Sequence, residues 1–236
     1  MTTHQKLKRH ELKLVVHADT EQRVRTWVTE RLQPDPFAGG EGSYGVHSLY
    51  CDNAALDVYH RRSGDGGTKY RVRRYGSEDV VWLERKRRKG TAVAKQRVPV
   101  PLLGLPDLLQ QTESRGFVGE FLAALHQHSY SPRLHIAYTR SAWVGEGGVR
   151  LTMDSALEAS VIARGATTGA AAGANLFDAP QHRVSITADV VLELKYSGER
   201  PVLFAELLRR LAQNCGSFSK YAHGVEVSGL SRSGAR

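Results

Sequence analysis

Lysine, arginine and scattered carboxylates recur two residues apart in several segments of this chain, and that spacing carries chemistry. In KYRVRRYG, Lys69, Arg71 and Arg73 alternate with Tyr70, Val72 and Arg74. In WLERKRR, Trp82, Glu84, Lys86 and Arg88 alternate with Leu83, Arg85 and Arg87. Glu11 is spaced likewise from Lys13, Tyr138 from Arg140, Arg150 from Thr152 and Asp154, and Glu193 from Lys195, whose alternate positions hold Leu192 and Leu194. In extended chain, residues two apart point the same way, so each segment gathers its charges on one surface. One such pair is the solvated face of an ordinary strand. Six strands with the same habit suggest charged faces turned inward around a closed barrel. A lumen lined by Lys and Arg needs an anion, because burying unpaired charge costs several kcal/mol per ion. A narrow polyanion would supply it, leaving Arg74, Arg85 and Arg87, on the opposite faces, without a part in its binding.

Other chemistry finds no candidate. GGEGSYG contains a formal GxGxxG at Gly40, Gly42 and Gly45, but it follows a helix and precedes a strand, the reverse of the dinucleotide-binding order. GDGGTK lacks the Walker spacing, His126 and His128 diverge around a helix axis, and no HExxH or nucleophile elbow occurs.

The charge balance agrees with a polyanion site. The chain of 236 residues is 41% hydrophobic and 24% charged, a globular composition long enough for a sizeable core. Thirty-three Lys and Arg stand against 24 Asp and Glu, a net charge of +9. Residues 61–97 hold 13 of the basic and 4 of the acidic residues, so this one stretch accounts for the whole excess. Duplex nucleic acid is too wide for such a lumen, and no basic recognition helix or set of stacking aromatics offers an outer nucleic-acid face. Nucleic acid is therefore not an expected partner. Cys51 and Cys215 lack CxxC spacing and read as buried thiols in a reducing compartment. No run of about 18 apolar residues occurs, and the polar N-terminus has no apolar core behind it, so neither a membrane span nor a classical export signal is expected.

The elements that must position these residues follow from periodicity. HELKLVVH at 10–17 reads as a strand, and Asp19 as the cap of a helix carrying Val24, Trp27, Val28 and Leu32, ended by Pro34 and Pro36. Strands are expected at 46–52, 56–61, 68–76, 79–88 and 91–100, with short turns that favour antiparallel pairing. A helix with Phe117, Val118, Phe121, Leu122 and Leu125 on one stripe follows, then strands at 135–144, 147–157 and 183–196. Pro201 opens a helix that turns Phe204, Leu207, Leu208 and Leu211 inward. Residues 165–175 read as a low-complexity loop and 227–236 as a frayed tail. The sum is one α+β domain around a large antiparallel sheet or barrel of about eight strands with flanking helices.

Eight ordered blocks, RHELKL, SLYCD, KYRVRRYG, WLERKRR with AKQR behind it, YTRSAW, VRLTMDSAL, LELKY before a proline-initiated helix, and FSKYAHGVE, carry a resemblance over residues 8–226. The chain resembles the polyphosphate polymerase domain of the vacuolar transporter chaperone complex, a branch of the triphosphate tunnel metalloenzymes. The resemblance implies a CYTH-like antiparallel β-tunnel whose basic lumen binds nucleoside triphosphate, a growing polyphosphate chain and a divalent metal. It further implies that Lys13, Arg71, Arg73, Lys86, Lys95, Arg140 and Lys220 contact phosphates and that Tyr138 and Ser219 add hydroxyl donors. Glu193 would hold Mn²⁺ or Mg²⁺, with Glu11 and Glu84 as further carboxylates. Lys69 and Lys195 join this set through their strand faces.

The activity so implied is transfer of the ATP γ-phosphoryl group to the end of polyphosphate, releasing ADP. One departure separates branches: hydrolytic tunnel enzymes carry ExExK on the first strand, and here Arg9 stands in place of the first Glu in RHELK. The alternatives are a triphosphate hydrolase on the same tunnel and a non-catalytic polyphosphate-binding module. A cytoplasmic location is expected, with the inner face of a membrane as a peripheral site and a separate membrane channel subunit as a partner the resemblance leaves open.

Overall fold

Alternation becomes strand pairing in the computed structural model, which describes residues 9–38, 42–62, 67–89, 92–163, 176–177, 182–211 and 218–232. The strands are β1 (Arg9–Val16), β2 (Gln33–Pro34), β3 (Ser43–Asp52), β4 (Lys69–Tyr75), β5 (Val80–Lys89), β6 (Ala92–Pro101), β7 (Ser131–Gly145), β8 (Val149–Val161), β9 (Val184–Thr187) and β10 (Val190–Ser197). The helices are α1 (Glu21–Thr29), α2 (Leu105–Gln110), α3 (Gly116–Gln127), α4 (Val202–Leu211) and α5 (Lys220–Val227). Eight strands follow the order β1-β10-β8-β7-β3-β4-β5-β6, with β2 beside β7 and β9 beside β8. The expected class, an antiparallel sheet of eight main strands with flanking helices, is the architecture found. No helix among the described residues is long and apolar enough to cross a membrane.

The chain divides into two compact units. The first comprises Met1–Tyr44, Tyr138–Leu157 and Thr187–Ser219. In it β1 pairs with β10 and β10 with β8, both antiparallel, so Leu12, Leu14 and Val16 share a face with Leu192, Leu194, Leu151 and Met153. That face is covered by Val24, Trp27 and Val28 of α1 and by Phe204 and Leu207 of α4, with Leu208 and Leu211 partly buried against the same cluster. Each large side chain so buried contributes about 1.5–3 kcal/mol. Asp19 does not cap α1. Residues Ala18–Thr20 form a short 3-10 turn, which moves the helix start to Glu21 and leaves Thr20 before it without a side-chain capping bond. The strand expected over 183–196 is split into β9 and β10, where the Asp189 N–H donates to Thr187 Oγ1 at 3.0 Å and turns the chain.

The second unit comprises Gly45–Ala137, Glu158–Ile186 and Lys220–Arg236. Here β3, β4, β5 and β6 pair consecutively and antiparallel, and Leu49, Cys51, Tyr70, Val72, Val81 and Leu83 are buried on one face. Phe121 of α3 packs edge-on against Tyr70 with ring centres 5.5 Å apart. The Cys51 thiol is buried, as expected, and burial pushes its proton loss far up. Cys215 and the loop at 165–175 lie outside the described residues.

The segment 56–61 is not a strand. Asp52, fully buried, accepts from the N–H groups of Asn53 at 2.8 Å, Val58 at 3.0 Å and Tyr59 at 3.1 Å, and winds this segment into turns. A carboxylate with three backbone donors satisfies groups that a sheet partner would otherwise have to meet. At Gly224 a Cβ would lie 2.9 Å from Leu134 and 3.1 Å from Ile136, so glycine is what lets α5 sit this close to β7. Two of the arginines on the apolar faces take local partners. Arg74 donates to the Glu78 and Ser77 carbonyls, while Arg85 donates to Gln96 and Glu120 and lies over the Phe117 ring.

Candidate functional site

Ladder registers build the second unit's polar face row by row. Tyr50 stands opposite Arg71, Arg71 opposite Glu84, and Glu84 opposite Arg97. The next row holds Ser48, Arg73, Trp82 and Pro99. On the other side, Lys69, Lys86 and Lys95 stand side by side across β4, β5 and β6. Like charges directly opposed across strands are destabilising, so this row is suited to an anion laid along it.

Glu84 is the one acid in these three rows. Arg71 Nε donates to its Oε2 at 2.7 Å, and Lys95 Nζ lies 2.8 Å from its Oε1. Burial opposes the Glu84 charge, but Arg71, Arg73 and Lys95 hold its carboxyl well below the ordinary range. It is a fixed carboxylate that spaces cations. Arg73, only 4% exposed, donates through Nε to Ser48 Oγ at 3.0 Å. Tyr50 Oη accepts from Arg71 Nη1 at 3.1 Å, and its ring stacks on Tyr221 with centres 5.0 Å apart. Tyr221 donates to Asp52 Oδ2 at 2.5 Å, which seats α5, and with it Lys220, beside this face.

The first unit's polar face is mixed. Glu11 stands opposite Lys195, Lys13 opposite Glu193, and Glu193 opposite Thr152. Lys13 Nζ lies 3.2 Å from Glu11 and 3.7 Å from Glu193, and Lys195 Nζ is 3.2 Å from the other Glu193 oxygen. Arg140 donates through Nε and Nη2 to the two Asp154 oxygens at 2.6 and 2.7 Å, with Glu193 3.9 Å away. Its guanidinium also lies 5.3 Å from the Tyr138 ring centre. Burial works against the Arg140 charge, yet Tyr138, Asp154 and Glu193 keep it firmly protonated. Burial likewise opposes ionisation of Glu193, but its hydrogen bond with Glu11 and the charges of Lys195, Lys13 and Arg140 hold its carboxyl well below the ordinary range. Thr152 Oγ1, buried in the same face, has no hydrogen-bond partner among the described residues. Arg150 leaves the group and pairs with Asp35 at 2.7 Å.

A family model for the VTC domain matches residues 8–228. The chain belongs to the VTC domain family. No curated protein matches it. Among solved structures it is similar to a putative adenylate cyclase from Bacillus halodurans, at TM-score 0.56 and 14% identity over 91% of this chain and 95% of that one. It is also similar to a putative adenylyl cyclase from Hippeastrum described as having a dominant triphosphatase activity, at TM-score 0.52 and 12% identity over 93% of this chain and 96% of that one. These likenesses establish the fold, that of the triphosphate tunnel, CYTH-like proteins.

In this VTC domain the residues named from sequence fall into two groups. Lys69, Arg71, Arg73, Glu84, Lys86, Lys95 and Lys220 belong to the second unit, and Glu11, Lys13, Tyr138, Arg140, Glu193, Lys195 and Ser219 to the first. Tyr50, Ser48, Thr152 and Asp154 complete the two faces. Period-2 reading of SLYCD and VRLTMDSAL places each on a polar face, but only ladder partners reveal which cation each one meets. Among the described residues no three metal-ligating side chains cluster. Glu193 is 12% exposed, ionised and adjacent to Glu11. Mg²⁺ and Mn²⁺ are commonly held by one or two carboxylates together with substrate phosphates, and this donor pair fits that pattern. Glu84 fits it less well, because its cations are closer, Arg71 at 2.7 Å and Lys95 at 2.8 Å, than the nearest cation to Glu193, Lys195 at 3.2 Å.

Proposed function

We propose that this VTC domain is an ATP-dependent polyphosphate polymerase that moves the γ-phosphoryl group of ATP onto the terminal phosphate of a polyphosphate chain and releases ADP. The observation that carries the reading is the cross-strand row of Lys69, Lys86 and Lys95 beside Arg71 and Arg73, a surface matched to a linear anion with closely spaced charges. A terminal phosphate oxygen is already anionic near neutral pH, so the acceptor needs no general base, in keeping with the absence of one in the motif reading. The obstacle is repulsion between two polyanions. Arg71 and Arg73, with Lys69, Lys86 and Lys95, offset it and stabilise the equatorial oxygens of the loose transition state. Lys13, Arg140, Lys195 and Lys220 are further candidates for phosphate contact, and Tyr138 and Ser219 for hydroxyl donors. Glu193 with Glu11 would hold a Mn²⁺ or Mg²⁺, which would supply further neutralisation of phosphate charge. We place the reaction in the cytoplasm, with the product released there or passed to a separate membrane channel subunit.

A triphosphate hydrolase is the second reading, favoured by the triphosphatase activity described for the Hippeastrum protein. Against it stands Arg9, which shares the face of Glu11 and Lys13 on β1 where hydrolytic tunnel enzymes carry a glutamate. Incubation with ATP and Mn²⁺, followed by a gel stained for polyphosphate, separates the two. A ladder supports the polymerase, whereas free phosphate without a ladder replaces it with the hydrolase.

A further inference from the structure

Tyr50 lies within the cationic face of the second unit, and its hydrogen bonding there is half complete. It is 6% exposed, stands opposite Arg71 on the neighbouring strand, and accepts from Arg71 Nη1 at 3.1 Å. A phenol also has a proton to donate, and among the described residues the Tyr50 proton has no acceptor. The groups facing it from β4 are Lys69, Arg71 and Arg73, all donors. From β5, Glu84 is engaged by Arg71 and Lys95. From α5, the stacked Tyr221 gives its proton to Asp52, and burial with the Asp52 charge pushes its own ionisation far up. The tyrosine is thus a donor aimed among three cations with nothing anionic to receive it.

We propose that Tyr50 is a phosphate-contacting residue whose hydroxyl accepts from Arg71 and donates to a phosphate oxygen of the bound polyanion. The inference rests on triphosphate or polyphosphate being the ligand, as proposed above, and not on the transfer step. It brings a pH dependence with it. Burial raises the Tyr50 phenol, but the charges of Arg71, Arg73 and Lys69 and the bond from Arg71 pull it down to about 7. As pH rises through that value the donor is lost and the phenolate offsets the Arg71 charge, so phosphate affinity falls. By linkage, bound phosphate moves the ionisation of Tyr50 upward.

Tripolyphosphate binding to the full chain without metal, measured by calorimetry for wild type and Tyr50→Phe, tests this. The variant should bind about tenfold more weakly at roughly pH 6. The gap should close by roughly pH 8, where the wild-type phenol has ionised. A near-ultraviolet phenolate titration of the wild type should reveal one tyrosine ionising near neutrality and displaced upward by tripolyphosphate. Repeating it in Tyr75→Phe removes the other phenol lowered by Arg73, so the titration decides even where Tyr50→Phe fails to fold. Equal affinity of wild type and Tyr50→Phe near pH 6, or no phenol titrating near neutrality in the Tyr75→Phe background, overturns the assignment. A wild type that binds tripolyphosphate in this way but builds no polyphosphate refutes the polymerase and leaves Tyr50 assigned. One that binds no tripolyphosphate overturns both.

Discussion

In the first unit, Glu11, Glu193 and Asp154 stand among Lys13, Lys195 and Arg140, and ion pairs between them meet most of the charge. In the second, Glu84 alone faces Lys69, Arg71, Arg73, Lys86, Lys95 and Arg97 across three rows of one ladder. Both are polar faces of sheets whose other face is a hydrophobic core, so the difference lies in how charge is met. A balanced face holds its side chains in place without a ligand and suits positioning. An unbalanced face gains most when an anion arrives, and suits binding. Part of the localised +9 of residues 61–97 is the sequence trace of that second face, carried by Lys69, Arg71, Arg73, Lys86, Lys95 and Arg97 against Glu84.

The comparison breaks first at Arg71. Arg71→Ala should lower tripolyphosphate affinity and polyphosphate synthesis by about 100-fold or more, with the circular dichroism spectrum retained. Arg71→Lys should lose about tenfold because the planar fork is gone. Wild-type behaviour of Arg71→Ala would remove the distinction between the faces.

Glu84→Gln probes the acid that stands within the three rows. Leaving its cations without a counter-charge should lower apo stability by about 3–5 kcal/mol, read by denaturant titration, while the stabilisation gained on adding tripolyphosphate should grow. The pH dependence has a definite sign. The Glu84 carboxyl is held below its unfolded value, so its contribution is present above the ordinary Glu range near ~4.3 and is lost as pH falls below it. The acid loss of stability should therefore be smaller in Glu84→Gln than in the wild type.

Glu193→Gln should reduce Mn²⁺- or Mg²⁺-stimulated activity by about tenfold or more while changing metal-free tripolyphosphate affinity much less. Equal losses in both would make Glu193 a spacer like Glu84. The smallest effect belongs to Arg85, whose partners Glu120, Gln96 and Phe117 lie on the other side of the sheet. Arg85→Ala should alter tripolyphosphate affinity by no more than about twofold, and a larger loss would extend the binding surface beyond the polar face.

Much of this was legible from spacing. Lys69, Arg71 and Arg73 share a face for the same reason that Tyr70 and Val72 are buried on the other, and Phe204 and Leu207 follow the helical period into the core. Where the reading failed, a local polar contact outweighed the pattern. LDVYHR alternates like a strand, yet the Asp52 carboxylate gathers its backbone N–H groups into turns. VVLELKY is a strand, but the Thr187 hydroxyl breaks the longer run that precedes it.

Which residues lie on the charged faces was determined by the sequence alone, because strand geometry turns a spacing of two into a shared surface and the apolar alternates into a core. Which carboxylate meets which cation was decided only by tertiary structure. Glu84 and Glu193 both sit two residues from a lysine in sequence. Ladder register then binds one tightly between Arg71 and Lys95 and leaves the other, beside Glu11, in looser pairs that fit a metal. The same register sets Tyr50 against Arg71 and aligns three lysines, because pairing between strands is a property of the folded sheet and of no single segment within it.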